Sequence, residues 1–335
     1  MKAKIPVTVI TGFLGAGKTT LVRHLFANSQ GRRLAFIVNE FGDLGVDREL
    51  LLGCAIEGCA EEDVIELANG CLCCTVADDF LPTMESLLGR PNPPEHILIE
   101  TSGLALPKPL VKAFAWPEVK ARATVDGVIA VVDAPAVAAG RFADDPETMG
   151  KPEHDNPLDE VFSDQLACAD LVLANKADLM DPLAFAQLAA DLTQRLRPGV
   201  KLVGARHGQV APAILLGLAA AAEDDLESRP ALHDSMDDHD HEDFESFALD
   251  LGPVADPEAL EARLADLVAH HDILRIKGFL DVPGKPMRLA LQGVGPRFSR
   301  YFDQPWAKGA LRASRLVFIG LKGMDQAAIA KGLIG

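Results

Sequence analysis

The chain has 335 residues, of which 48% are hydrophobic and 24% are charged. This composition is typical of a globular protein and excludes disorder along the whole chain, and the length suggests two domains. The 49 acidic residues outnumber the 32 basic residues and give a net charge of −17, which repels phosphate backbones and anionic membrane surfaces. We therefore expect neither a nucleic-acid partner nor a membrane partner.

The N-terminal segment predicts the first strand of a cytoplasmic protein. Two lysines and a short apolar run resemble a signal peptide, but Pro6 and two threonines interrupt the run, which then enters a glycine-rich loop. No apolar run reaches the roughly 18 residues that a membrane helix needs.

Residues 1–222 alternate between apolar strands and helical segments, a pattern that indicates an α/β fold. Continuous apolar strands are typical of a mainly parallel sheet that is covered on both faces. A helix is expected at 19–26, directly after the glycine-rich loop. The predicted strands are 7–10, 34–38, 96–100, 127–133, 170–176 and 201–205.

The composition changes at residue 223. Residues 223–245 carry eleven acidic residues, one arginine and three histidines (His233, His239 and His241), so we predict a mobile linker with few core residues. The histidines are either part of a solvated tether or weak metal scavengers. Residues 246–335 predict a smaller α+β domain with one helix at 256–271 and strands at 247–251, 273–282, 287–295 and 314–321.

The glycine-rich loop at residues 12–19 fits the phosphate-loop pattern G-x-x-x-x-G-K-[ST]. In this pattern backbone N–H groups surround the β-phosphate, the lysine reaches the β- and γ-phosphates, and the hydroxyl ligates Mg²⁺. The following helix directs its positive end at the anion. The expected nucleotide-binding residues are Gly12, Gly15, Ala16, Gly17, Lys18, Thr19 and Thr20.

A second phosphate-site element is the segment Ile97–Gly103, in which Glu100 ends an apolar strand. A carboxylate in this place lies beside Mg²⁺ in phosphate-loop folds, and the Gly103 N–H can sense the γ-phosphate. We therefore predict Lys18 and Glu100 as catalytic residues.

The sequence Asn175-Lys176-Ala177-Asp178 ends a later strand and favours GTP over ATP. An Asp carboxylate accepts hydrogen bonds from both guanine N1–H and the 2-amino group, which adenine does not offer. The Lys176 stem is expected over the base. We expect the backbone of Ala205 and Arg206 to contact the edge of the base.

Three clustered cysteines, Cys71, Cys73 and Cys74, lie between the phosphate loop and Glu100. Cys71 and Cys73 share one face of an extended segment and can converge on a transition-metal ion, with Glu40 as a further ligand. The alternatives are three buried thiols or a dithiol redox site. Cys54 and Cys59 serve either auxiliary metal capture or packing, and Cys168 is expected in the core.

Together these motifs resemble the CobW-type metallochaperones, and in particular their cobalamin-biosynthesis branch. These belong to the class of phosphate-loop GTPases that also contains the urease and hydrogenase nickel-insertion GTPases. The stretches around Asn39–Asp43 and Glu66–Phe80 and a C-terminal CobW-like domain carry the resemblance. It implies a GTPase of slow intrinsic turnover that binds Co²⁺ in its Mg²⁺-GTP form. Hydrolysis would release the ion to a client metalloprotein, which the resemblance suggests is cobaltochelatase.

Two other functions fit the same motifs. One is a chaperone of the same family that carries Zn²⁺, and the other is a redox-sensing GTP switch without a metal cargo. A small-molecule kinase is disfavoured by the Asn-Lys-x-Asp motif.

Overall fold

A computed structural model shows a chain that divides into two compact units. The described residues of the first unit lie between 3 and 230, and those of the second lie between 244 and 334. The structure describes residues 3–29, 31–38, 64–66, 80–140, 157–230, 244–271, 273–294, 297–306, 312–321 and 323–334.

Within the described part of the first unit, seven strands form one parallel sheet in the order β3-β2-β4-β1-β5-β6-β7. This confirms the predicted phosphate-loop fold with a mainly parallel sheet. The strand β3 was not predicted, because its three residues are too few to show a period. The strands are β1 (Ile5–Thr11), β2 (Leu34–Val38), β3 (Val64–Glu66), β4 (His96–Glu100), β5 (Ala123–Asp133), β6 (Leu171–Asn175) and β7 (Lys201–Gly204).

Helices of the first unit pack on both faces of this sheet. They include α1 (Lys18–Ala27), α2 (Leu81–Gly89), α3 (Pro107–Ala113), α4 (Pro117–Lys120), α5 (Ala134–Ala138), α6 (Pro157–Cys168), α7 (Pro182–Arg195) and α8 (Pro212–Leu215), with 3₁₀ turns at Ala177–Leu179 and Ala222–Asp224. Across the described ranges, no helix combines the length and the apolar character that crossing a membrane demands.

The core explains why the strands are continuously apolar. Alternate residues of β1, β4 and β5 pack against α2 and α3 on one face, where Val7, Ile97 and Leu110 are fully or nearly fully buried. On the other face, residues of β5 and β6 pack against α6 and α7, with Phe162 and Leu188 in the core. Because both faces are covered, the polar groups that matter for chemistry lie at the strand ends.

The described residues of the second unit form a five-stranded antiparallel sheet in the order β11-β10-β9-β12-β8 with two helices. The α+β prediction is confirmed, but β11 and the final helix were not predicted. Aromatic residues lie on both faces of β11, which hides its period. The elements are β8 (Phe244–Leu251), α9 (Pro257–His270), β9 (Ile273–Leu280), β10 (Met287–Val294), β11 (Arg297–Pro305), β12 (Ser314–Leu321) and α10 (Gln326–Ile334).

The segment 222–230 differs from the linker expected from residue 223 onward. Glu223 is buried and accepts hydrogen bonds from Thr124 Oγ1 at 2.6 Å and from Val125 N at 2.9 Å. Arg229 is 1% exposed and donates to Asp170 Oδ1 at 2.6 Å, just before β6. Their polar composition predicts an exposed segment. Charged side chains can nevertheless be buried when each has a hydrogen-bonding partner, as these two have. The domain boundaries at 222/223 and 245/246 stay predictions.

We predict that Arg229→Met lowers the free energy of unfolding of the first unit by about 3 kcal/mol, because it leaves the Asp170 carboxylate largely buried with less charge to balance it. The matched control, Arg33→Met, removes an exposed pair with Glu95 at 3.6 Å and is expected to cost less than about 1 kcal/mol. Urea unfolding, followed by Trp116 fluorescence in a Trp306→Phe background, measures the free energy of unfolding of both variants. Equal shifts in the two variants would contradict a structural role for Arg229.

Candidate nucleotide and metal site

The phosphate loop, residues 12–19, connects β1 to α1 in a backbone form that requires glycine. Gly12, Gly15 and Gly17 have φ angles of 132°, 71° and 103°. A Cβ atom at Gly12 would lie 2.1 Å from the carbonyl oxygen of Val131 on β5. A glycine loop with positive φ angles before a helix can turn successive N–H groups toward one concave side, which suits a phosphate group. The residues present therefore fit the triphosphate of a nucleotide.

Lys18, the first residue of α1, lies within the loop. Its ammonium group donates a hydrogen bond to the Gly12 carbonyl oxygen at 2.7 Å and approaches that of Phe13 at 3.4 Å. The side chain is buried, so its charge is directed at the loop. Phosphate oxygens are better acceptors for this ammonium group than neutral carbonyl oxygens are.

Thr19 and Glu100 meet where α1 begins and β4 ends. Thr19 Oγ1 donates to Glu100 Oε1 at 3.1 Å, and Glu100 is 7% exposed. The parallel pairing of β1 with β4 places Ile10 opposite Glu100 and so brings this carboxylate beside the loop. A hydroxyl and a carboxylate are oxygen ligands of the kind that Mg²⁺ prefers. The pair therefore fits the magnesium site expected from the sequence.

Asn175 connects the phosphate loop to the loop after β7. Its Nδ2 donates to the Ala16 carbonyl oxygen at 2.9 Å, and its Oδ1 accepts from Gly208 N at 2.9 Å. Gly208 was not predicted. Its φ angle of 66° and the 2.9 Å from an added Cβ to the Leu21 backbone show that this position favours glycine. The side chain of Asn175 is thus a structural link and is buried in this position.

Lys176 makes a second link to the phosphate loop. Its Nζ donates to the Gly15 carbonyl oxygen at 2.8 Å and pairs with Asp133 Oδ2 at 2.6 Å. Asp133 ends β5, and its other oxygen accepts from Ala136 N at 3.1 Å as the cap of α5. Sequence reasoning did not assign Asp133 to the site. The available signal was an Asp that ends a buried apolar strand, as Glu100 does at the end of β4.

Asp178 lies in the 3₁₀ turn after β6, with its side chain 25% exposed. The backbone beside it is fixed, since Ala177 N donates to the Ala205 carbonyl oxygen at 3.0 Å and Ala205 N donates to that of Ala174 at 2.9 Å. Arg206 and His207 follow at the surface, and His207 Nε2 lies 3.9 Å from Asp178 Oδ2. A partly open carboxylate on a fixed turn fits the recognition of two guanine donors.

The expected metal-cargo residues lie outside the described residues. These are Glu40, Cys54, Cys59, Cys71, Cys73 and Cys74, together with the linker histidines. Within the described ranges, no cluster of three His, Cys, Asp or Glu side chains is arranged to hold a metal ion. Cys168 is buried, and burial raises the pKa of its thiol to about 11, which agrees with the predicted core role.

Comparison with known protein families gives two matches that together span most of the chain. Residues 6–203 match the family model described as the CobW/HypB/UreG nucleotide-binding domain. Residues 244–335 match the model described as the cobalamin synthesis protein cobW C-terminal domain.

Two relatives with high sequence identity agree with these matches. A protein named zinc chaperone CobW from Sinorhizobium sp is 52% identical over 98% of this chain and 96% of its own length. A protein of the same name from Pseudomonas aeruginosa is 55% identical over 99% of this chain and 91% of its own length. A crystal structure of the Zn(II)-bound YjiA GTPase from E. coli aligns over 98% of both chains with 25% identity and a TM-score of 0.44.

We predict that Gly17→Ala lowers the affinity for guanine nucleotide by about 10-fold or more. The φ angle of 103° disfavours alanine, and its Cβ would lie 2.3 Å from Asn175 Nδ2, so the link to Ala16 must move. Gly31→Ala is the matched control, because Gly31 also has a positive φ angle but an added Cβ there meets nothing within 4 Å. Equilibrium titration with a fluorescent GDP measures both affinities. A similar loss in the two variants would refute a local effect at the nucleotide site.

Proposed function

The chain belongs to the CobW/HypB/UreG family of GTPases, and from that premise we propose that it is a metallochaperone whose metal affinity is switched by GTP. In the Mg²⁺-GTP form it binds a transition-metal ion. After hydrolysis the ion passes to a client metalloprotein. The observation that carries the proposal is the identity of 52% and 55%, over nearly the full chain, to two proteins named zinc chaperones.

For nucleotide binding, we propose that Asp178 recognises guanine. Asn175 and Lys176 would fix the position of the phosphate loop relative to the segment that binds the base. Their bonds to the Ala16 and Gly15 carbonyl oxygens support this role. The backbone of Ala205 and Arg206 is proposed to contact the edge of the base. Adenine would leave the Asp178 carboxylate without donors, which disfavours ATP.

For hydrolysis, we propose that Lys18 stabilises the charge that develops on the β- and γ-phosphate oxygens. Thr19 and Glu100 would hold Mg²⁺, which neutralises phosphate charge when it is bound. The Thr20 backbone at the start of α1 and the Gly103 N–H complete the proposed set of contacts to phosphate. Intrinsic turnover is expected to be slow, which suits a switch that waits for a client.

For the cargo, we propose Zn²⁺, because both full-length relatives are named for zinc. Co²⁺ is the second candidate, favoured by the match of residues 244–335 to the cobalamin synthesis C-terminal domain, and cobaltochelatase would then be the client. The proposed ligands are the thiolates of Cys71, Cys73 and Cys74 and the carboxylate of Glu40. Thiolate sites bind both metals, so availability decides occupancy.

We predict that Asp178→Asn reverses the nucleotide preference. The substitution removes the carboxylate that accepts hydrogen bonds from both guanine donors, so the affinity for GTP falls by about 100-fold or more. Xanthosine triphosphate offers an acceptor to the amide NH₂ group and therefore gains affinity. Asp181→Asn, three residues away at the N-terminal cap of α7, is the matched control and should change neither affinity. Titration of both nucleotides against each variant measures the effect. An unchanged preference for GTP in Asp178→Asn would refute the guanine assignment.

We also predict that Mg²⁺-GTP raises the affinity for Zn²⁺ or Co²⁺ by about 10²- to 10⁴-fold, which corresponds to about 3–5.5 kcal/mol of coupling. Metal binding needs thiolates, so Cys73→Ala should abolish tight binding while GTP binding stays unchanged. Cys168→Ala, which removes a buried thiol, should leave the metal affinity unchanged. Competition titrations with GTP, with GDP and without nucleotide measure the coupling.

Equal metal affinity in all three nucleotide states would overturn the chaperone switch for either metal. That result would instead favour a GTP switch in which the cysteines respond to redox conditions.

A further inference from the structure

Gln165 on α6 contacts the segment that follows the strand end at Glu100. Its side chain is 1% exposed, and its Nε2 lies 3.2 Å from the carbonyl oxygens of both Gly103 and Ala105. These two residues belong to the segment 101–106, which begins directly after Glu100. One buried amide thus holds two backbone carbonyl groups at the phosphate end of β4.

The same segment is also confined by the phosphate loop. A Cβ atom at Gly103 would lie 2.4 Å from Leu14 Cδ2 and 2.8 Å from Leu14 N. All six residues of the segment are buried. Gly103 therefore packs closely against Leu14 and is also bound by Gln165, and only glycine fits this close to Leu14.

The amide orientation and its remaining oxygen show what Gln165 contributes. Two carbonyl oxygens require a donor, so the NH₂ group and not the oxygen must face them. Within the part of the chain that the structure describes, Gln165 Oε1 is buried and has no hydrogen-bond partner. An apolar side chain of equal volume would fill this space without the free-energy cost of a buried, unpartnered oxygen. The distinctive contribution of Gln165 is therefore its two hydrogen bonds to the segment.

We propose that Gln165 is a positioning residue for GTP binding: through the Gly103 carbonyl oxygen it holds Gly103 where the N–H of that residue meets the γ-phosphate of GTP. The inference rests on the proposed function, in which Gly103 contacts that phosphate. Gln165 acts through Gly103 and does not touch the nucleotide. Because GDP has no γ-phosphate, the hold on Gly103 matters for GTP and not for GDP.

The test compares affinities of the full chain for GDP and for a non-hydrolysable GTP analogue, both with Mg²⁺. Gln165→Met keeps the volume but removes both donors, and Gln165→Glu keeps the shape but, when ionised, offers only acceptors. We expect each variant to bind the analogue about 10-fold more weakly, while the GDP affinity changes less than about twofold. Gln187→Met, on the exposed face of α7, is the matched control and should change neither affinity.

The GDP titration also reports whether each variant is folded. Parallel losses for GDP and the analogue would show a merely structural role, and unchanged affinities for both would show no role, so either result overturns the proposal. A wild-type chain that binds neither nucleotide would overturn the proposed function itself, and the role of Gln165 with it.

Discussion

The ion pair between Lys176 and the buried carboxylate of Asp133 is the contact on which the geometry of the site depends. It fixes an ammonium group at the ends of β5 and β6, and the same group reaches the Gly15 carbonyl oxygen at 2.8 Å. An ammonium group has three donors, so one side chain can satisfy both partners. The segment that should recognise the base and the loop that should bind phosphate are therefore linked directly through Lys176.

The parallel sheet makes this arrangement possible, because it brings the carboxyl ends of separate strands to one edge. Ile10 of β1 is paired with Glu100 of β4, and Asp133 of β5 is paired with Asn175 of β6. Residues far apart in the sequence thus become neighbours without any loop having to cross the core. The helices on both faces keep water from the strands, and the polar strand ends are the places where a ligand can be recognised.

The sequence predicted elements whose apolar residues are continuous or regularly spaced, and motifs that consist of neighbouring residues. The phosphate loop, Glu100 and Asn175–Asp178 follow from such local patterns, and the structure places them at one edge. Asp133, Gln165 and Gly208 were missed because their roles come from partners 43, 62 and 33 residues away. Glu223 and Arg229 were misjudged for a related reason, since composition reports charge but not the partner that allows a charge to be buried.

The close approach of Asn175 to Gly17 has an evolutionary consequence. The amide of Asn175 occupies the space that a Cβ atom at Gly17 would need. Which side chains are tolerated at position 17 therefore depends on the residue at position 175, and the reverse is also true. Substitutions at the two positions should therefore be strongly non-additive, as expected for side chains in contact. A lineage that altered one of them first would pass through a poorly functioning intermediate. The phosphate loop and the base-recognising segment are thereby constrained to change together.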